Sequence, residues 1–465
     1  MTGYAILLPE TLLIVGALWA LFAELLPGGD RGSAWLGAGL AVLASAFAAM
    51  QPMGALGPFG NLLAFDGPAR FARVAITVLV AVWLMWTAGR GTGRVREAVA
   101  LALFTAVGAM FMTEARELIT LVVAVELATM PAYVLMGYRK GDVRGLEGAL
   151  KYFLLSMLTS LLMLYGFSFL YGLTGSTHYS GLNLDAAGTL GLLALMLSLV
   201  GLLAKLSAAP FHYWAPDAYE GADPWAVAFV STVPKVAGAV AIVRLLAAVA
   251  PGIAASGTVL LAIAAASMLL GNLGALNQTD VRRLMAYSGV AHTGYLLLGA
   301  ATLSAGGYLA AVFYAVAYAF PSMAVMLVAA EEGPALADFN GLAERRPAVA
   351  WGLVALLLSL IGIPPFLGFF GKLGLFTAAL GRGYNVVVVL AVMMSVVSAG
   401  YYLRIVRAMF FAKPADDTTG DIAVAHPAVA PSTIASVALG VCVLVVIGLG
   451  IGAGPALSAL GQMLR

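Results

Sequence analysis

Four ionisable residues stand in stretches that are otherwise oil: Glu126, Lys205, Lys235 and Lys372. A charge near the middle of a bilayer costs about 2.5 kcal/mol or more, so each needs a reason to be there. Each also lies beside or near a proline or glycine expected to break its helix. Glu126 precedes Pro131, Lys205 precedes Pro210, Lys235 follows Pro234, and Lys372 closes a turn containing Gly362, Pro364 and Pro365. A lysine taken out of water gives up its proton more readily, and a carboxylate within reach opposes this. Moving that carboxylate would switch the lysine between holding and releasing a proton. Broken helices supply free backbone groups and room for the water that proton transfer needs. A single buried lysine can instead pair with an acid and pin helices together; three at helix breaks favour proton handling.

Other candidates are more ambiguous. His292, in the run Tyr287 to Tyr295, is placed either to relay protons or to pack through hydrogen bonds. His212, just past Pro210, reads as interfacial, while His178 and His426 fall in loops and read as solvated. Lys151 opens its span, where snorkelling to the headgroups is expected. Glu10 follows Pro9 and reads as a helix-start carboxylate; Glu24 reads as interfacial.

The elements that must position these residues follow from composition. The 465 residues are 62% hydrophobic and only 10% charged, with a mean hydropathy of +1.00, which places the chain among polytopic membrane proteins. Apolar runs predict fourteen spans, centred near residues 15, 42, 79, 105, 128, 160, 200, 236, 264, 291, 317, 360, 397 and 446. The first run lacks a basic leader and reads as a span, not a cleaved signal. Glycine and alanine run through all the spans, as close helix packing in lipid requires. One set of alternate loops carries 14 of the 24 basic residues, and the set containing both termini carries six. Both termini are therefore expected on the non-cytoplasmic side. The loop at 213–223 is an exception, with Asp217, Glu220 and Asp223 on the expected cytoplasmic side; it either re-enters the membrane or caps a helix.

Spans seven and twelve each join a buried lysine to a helix-breaking proline. They are five spans apart, so two five-span units built around them would have opposite topology. Paired interrupted segments of this kind point to an inverted repeat with its site at the midplane. The chain has one cysteine, Cys442, read as apolar filler, which excludes an iron–sulfur cluster or an internal disulfide. No phosphate-binding glycine loop, zinc spacing or nucleophile triad is present.

Several motifs are specific to one family. Glu126-Leu-Ala-Thr-Met-Pro131, Leu150-Lys151-Tyr-Phe-Leu-Leu155, Leu203-Ala-Lys205 and Pro210 through Gly221 form one set. Lys235, Arg282-Arg283-Leu-Met-Ala-Tyr287-Ser288, His292-Thr-Gly-Tyr295 and Gly362 through Lys372 form another. Over nearly its whole length the chain resembles the antiporter-like membrane subunits of respiratory complex I, with multisubunit sodium/proton antiporters as relatives. Leu8-Pro9-Glu10, Tyr401-Tyr-Leu-Arg404, the length, and a lysine at 372 where the M-type has glutamate resemble the N-type.

The resemblance implies an all-α integral membrane protein of about fourteen helices. It implies two inverted five-helix repeats (spans 4–8, about 97–250, and spans 9–13, about 254–412) with helices 7 and 12 broken, and flanking spans at 1–96 and 413–465. It implies a Glu126–Lys205 pair, Lys235 as the connecting lysine and Lys372 as the terminal one. The implied function is proton translocation within a bacterial NADH–quinone oxidoreductase of the cytoplasmic (inner) membrane. Flavin and iron–sulfur chemistry would lie in other chains, with no cofactor or metal in this one. Partners would be the M-, L-, K-, J-, A- and H-type membrane subunits and, indirectly, the peripheral redox arm, with no nucleic acid. A subunit of a sodium/proton antiporter, or of a hydrogenase- or F420-linked complex, is the alternative, as are a structural scaffold and a self-contained solute transporter.

Overall fold

The computed structural model describes residues 3–22, 29–52, 55–56, 59, 61–90, 95–139, 141–185, 187–413, 433–452 and 454. The helices are α1 (Leu8–Phe22), α2 (Gly29–Met50), α3 (Gly67–Arg90), α4 (Arg96–Glu114), α5 (Leu118–Met136) and α6 (Val143–Thr174). Next come α7 (Gly188–Lys205), α8 (Trp214–Gly221), α9 (Pro224–Val230), α10 (Val233–Val249), α11 (Ala255–Leu276) and α12 (Val281–Ala300). The last are α13 (Ala305–Glu332), α14 (Leu342–Arg345), α15 (Pro347–Ile361), α16 (Leu367–Gly381), α17 (Asn385–Phe411) and α18 (Thr433–Ile451). Eleven segments are long and apolar enough to span, one of them the joined pair α9 and α10. With α12, the broken pair α15 and α16, and α18, the described residues make fourteen crossings. This is a multi-pass membrane protein. The β-structure described is a two-residue antiparallel ladder, Ala55 opposite Phe65 and Leu56 opposite Ala64, with three isolated bridges.

Polar residues at the helix ends do the capping. The carboxylates of Glu117, Asp142, Asp223 and Asp280 accept from the first free N–H groups of α5, α6, α9 and α12, and the Ser304 hydroxyl does the same for α13. Burial works against ionisation of Glu117, but hydrogen bonds from Thr120 and Thr177 hold its carboxyl below the ordinary range. At the centre lie the α9–α10 pair and α13, both buried along their length, while α1, α2, α6, α11 and α17 present large apolar side chains outward. A central helix apolar all round needs other helices on every side, and α13 packs against α3, α9, α10, α12, α15, α16 and α18.

The breaks are built alike. α7 ends at Lys205, and Ser207 takes a left-handed φ of 61° with the Ala208 N–H bonding back to the Leu203 carbonyl. α15 ends at Ile361, and Gly362 takes φ 94° with the Ile363 N–H bonding back to the Leu358 carbonyl. Each left-handed residue stands three before a cis proline, Pro210 in one break and Pro365 in the other. Pro364 forms the cis peptide with Pro365. A third interruption separates α9 from α10 at Ser231 and Thr232, and Pro234 sits in the first turn of α10, where its missing N–H costs nothing. The expected break near Glu126 is absent: α5 runs continuously through Pro131. One proline removes one backbone bond, which neighbouring helices and local adjustment can offset.

Candidate functional site

Lys205, Lys235 and Lys372 are each no more than 5% exposed. Among the described residues, none of the three forms an ion pair. Lys205 is the last residue of α7, and its Nζ donates to Tyr133 Oη at 3.0 Å and to Ser156 Oγ. It also lies 5.4 Å from the centre of the Tyr133 ring. Tyr133 comes from α5 and Ser156 from α6, so three helices meet at this ammonium.

Lys235, in the first turn of α10, has no hydrogen-bond partner for its Nζ. It lies over the Tyr318 ring of α13, 5.4 Å from the centre. Gly289 of α12 makes this possible, because a Cβ there would lie 2.6 Å from the Lys235 Nζ and 2.9 Å from Tyr318 Oη. A small cavity next to the ammonium has room for roughly one water. Leu206, His292, Thr293 and Tyr314 are among its lining residues, so it joins the α7 break to the second half of the chain. Thr293 Oγ1 also donates to the Leu206 carbonyl at 2.5 Å, filling one of the acceptors that the break releases.

Lys372 lies in the second turn of α16, not at the turn itself. Its Nζ reaches back across the break to the carbonyls of Leu360 (3.0 Å) and Ile361 (2.8 Å), and donates to Ser395 Oγ of α17 at 2.5 Å. It also lies 4.8 Å from the centre of the Tyr295 ring. The expected free carbonyls of a broken helix are thus occupied by this ammonium.

His292 is buried on α12, with Nδ1 2.7 Å from Tyr314 Oη and Nε2 3.0 Å from Tyr402 Oη. Tyr402 Oη also contacts Ser288 Oγ. The imidazole ring contacts Tyr318, which lies under Lys235, and Tyr295, which lies under Lys372. Glu126 is half-buried on α5, and neither carboxylate oxygen has a hydrogen-bond partner. Among the described residues it forms no ion pair with Lys205, whose ammonium is held by Tyr133 of the same helix as Glu126. The structure thus gathers Lys235, His292 and Lys372 around shared tyrosines, and sets Glu126 and Lys205 on adjoining helices.

Sequence reasoning missed the hydroxyls that hold these groups: Tyr133, Ser156, Tyr314, Tyr402 and Ser395. Their only signal was polarity inside an apolar run, which serine and tyrosine share with many packing residues. Other expectations need correction. His212 is only 6% exposed, so it is buried within the protein. Lys151 does not simply snorkel: its Nζ pairs with Glu147 at 2.9 Å and with Asp217 at 3.0 Å. Of the three acids at 213–223, Asp223 caps α9, while Asp217 and Glu220 pair with Arg283 at 3.0 and 2.6 Å. Their charge is neutralised locally, which accounts for their place among basic loops. Glu10 does more than start a helix: it joins Arg73, buried within α3, and Glu114 in an ion cluster. His178 is exposed and Cys442 is buried in the core. Glu24 and His426 lie outside the described residues.

Residues 115–398 match the family described as NADH:quinone oxidoreductase/Mrp antiporter, transmembrane. The chain belongs to this family. A relative from Solidesulfovibrio magneticus, NADH-quinone oxidoreductase subunit N 2, is 38% identical over 86% of this chain and 88% of its own length. NADH-quinone oxidoreductase subunit N of Acidithiobacillus ferrooxidans is 34% identical over 97% of this chain and 95% of its own. A chain in the structure of respiratory complex I from Thermus thermophilus with bound aureothin superposes with a TM-score of 0.83 at 33% identity, covering 97% of this chain and 99% of that one. A chain of the Mrp complex from Dietzia sp. shares the fold, with a TM-score of 0.84 at 22% identity, covering 100% of this chain and 97% of that one.

Proposed function

We propose that this chain is the N-type proton-translocating subunit of a bacterial NADH–quinone oxidoreductase. It carries protons through a relay of Glu126, Lys205, Lys235, His292 and Lys372, while electron transfer runs in other subunits. The observation that carries this reading is the company the lysines keep. A lysine that merely pins helices needs a carboxylate beside it, because a lone buried ion is costly. These three are held by hydroxyls, carbonyls and ring faces instead. Lys235 and Lys372 can lose a proton and leave no stranded anion behind, and Lys205 leaves only the half-buried Glu126, which suits groups that cycle between charged and neutral forms.

In this scheme Glu126 biases Lys205 through space. Its carboxylate has no hydrogen-bond partner to hold it in place and so can move. Movement of Glu126, or a charge change in a neighbouring subunit, drives a proton from Lys205 past the α7 break to Lys235. The tyrosine-flanked His292 then hands it to Lys372. The two matched breaks support a division into inverted units at about 97–250 and 254–412. The subunit would sit in the inner membrane with both termini on the non-cytoplasmic side, and would hold no cofactor itself. Its partners would be the M-, L-, K-, J-, A- and H-type subunits.

Replacing Lys205 by alanine should abolish proton pumping driven by NADH oxidation in membrane vesicles while the complex still assembles. Pumping at the parental rate in assembled complex would sink the assignment.

A further inference from the structure

Away from the lysine row, two acids and one base meet in a fully buried group at the ends of α1, α3 and α4. Glu10, Arg73 and Glu114 are each no more than 1% exposed. The Arg73 fork grips Glu10, with Nε to Oε1 at 2.8 Å and Nη2 to Oε2 at 2.7 Å. Nη1 also donates to Gln51 Oε1 at 2.5 Å, and Nη2 to the Ile6 carbonyl at 3.2 Å. Glu114 Oε1 lies 2.7 Å from the same Nε, but that nitrogen has one hydrogen and spends it on Glu10. Both Glu114 oxygens consequently lack a hydrogen-bond partner.

The nearby charges do not correct the imbalance. The Arg244 guanidinium of α10 is taken by Asp66 at 2.5 Å and by the Thr113 carbonyl at 2.6 Å. Glu117, just beyond α4, is committed to Thr120. The buried core of the group would therefore carry an uncompensated negative charge if both acids were ionised, a state that costs several kcal/mol. Glu10 Oε1 and Glu114 Oε1 both crowd the one Arg73 Nε, at 2.8 and 2.7 Å. Two carboxylates so placed can bond to each other only if one carries a proton.

We propose that Glu10 and Glu114 share one exchangeable proton beneath Arg73, a proton-binding site separate from the lysine row. The proton supplies the donor that the Arg73 Nε, its one hydrogen spent on Glu10, cannot give Glu114, and brings the buried group to neutrality. Arg244 stands nine residues beyond Lys235 on α10, about 13 Å along the helix axis, so the site is displaced from the lysines towards one membrane face. It does not depend on the lysines carrying protons.

Infrared difference spectroscopy on the protein in its native membrane assembly tests the site. The parent chain should show the carbonyl stretch of a protonated carboxylic acid, shifted in D2O. Glu114→Gln should delete that band completely. Glu10→Gln should delete it as well, because Glu114 must then ionise to balance Arg73. Glu344→Gln, at an exposed position, should leave it in place. If one variant fails to accumulate in the membrane, the other reads the same band. Absence of the band from the parent chain, or its survival in either variant, would overturn the proposal.

Discussion

At the scale of the residue, the lysines differ in what surrounds them more than in how deeply they lie. Lys205 has two hydroxyls, Lys372 two carbonyls and one hydroxyl, and Lys235 a ring face and space. The position of Lys235 depends on Gly289 having no side chain. Gly289→Ala would place a methyl group 2.6 Å from its Nζ. The flexible lysine end can swing aside, but the buried Tyr318 hydroxyl, 2.9 Å from the same Cβ, must shift too, so stability should fall by about 1 kcal/mol. The ammonium would nevertheless leave the Tyr318 ring, and proton translocation in vesicles should fall several-fold at unchanged subunit abundance. The lysines were legible in the sequence because charge in an apolar run has few innocent explanations. Arg73 and Glu114 were not, because they lie near the ends of predicted spans, where charges are ordinary. Only the tertiary fold turns both inward against Glu10.

At the scale of the element, the two breaks test how much a left-handed residue costs. Ser207 holds φ 61° without being glycine, and its buried hydroxyl lacks a partner. Gly362 holds φ 94° at the matching place in the other break. Left-handed backbone costs a residue with a side chain about 1–2 kcal/mol. Ser207→Gly should therefore raise stability by about 1 kcal/mol. Gly362→Ala should lower it by about 1–2 kcal/mol or more, since its Cβ would also lie 2.9 Å from Lys372 Cδ. Thermal unfolding in detergent reads both, and shifts of the same sign would contradict this account. The prolines made the breaks at 210 and 364–365 visible in the sequence. The same rule misled at Pro131, because proline marks a lost hydrogen bond and only the surroundings decide whether the helix then separates.

At the scale of the whole molecule, fourteen crossings pack through small residues. A Cβ on Gly108 of α4 would collide with the backbone at Ala128 of α5, and one on Gly271 of α11 would collide with the backbone at Ala291 of α12. The same sequence spacing separates the two partners in each pair, so Glu126 and Gly289 hold equivalent positions two residues before Ala128 and Ala291. The half that carries the acid thus has its counterpart in a glycine that admits a lysine. Leucine at Gly108 or Gly271 should force these helices apart, so that little of the chain accumulates in the membrane. Leucine at Gly440, where a Cβ meets nothing within 4 Å, should be tolerated. Immunoblotting of membranes measures this, and normal abundance of both inner variants would show that the close contacts are dispensable. The count of crossings was legible from apolar run length, but which helices touch was not. Glycine occurs in most spans, and only those against a neighbour's backbone mark where two helices meet.

The hydrogen bonds of Lys372 carry one more consequence. A carbonyl oxygen can hold an ammonium in place, but it has no proton of its own to pass on and cannot become a stable acid. A hydroxyl can accept on one side while donating on the other. Of the three groups that Lys372 bonds, Ser395 alone is of the second kind, and it lies within 3.3 Å of the Ile361 carbonyl. The last lysine of the row therefore rests in a chamber with two walls and one door.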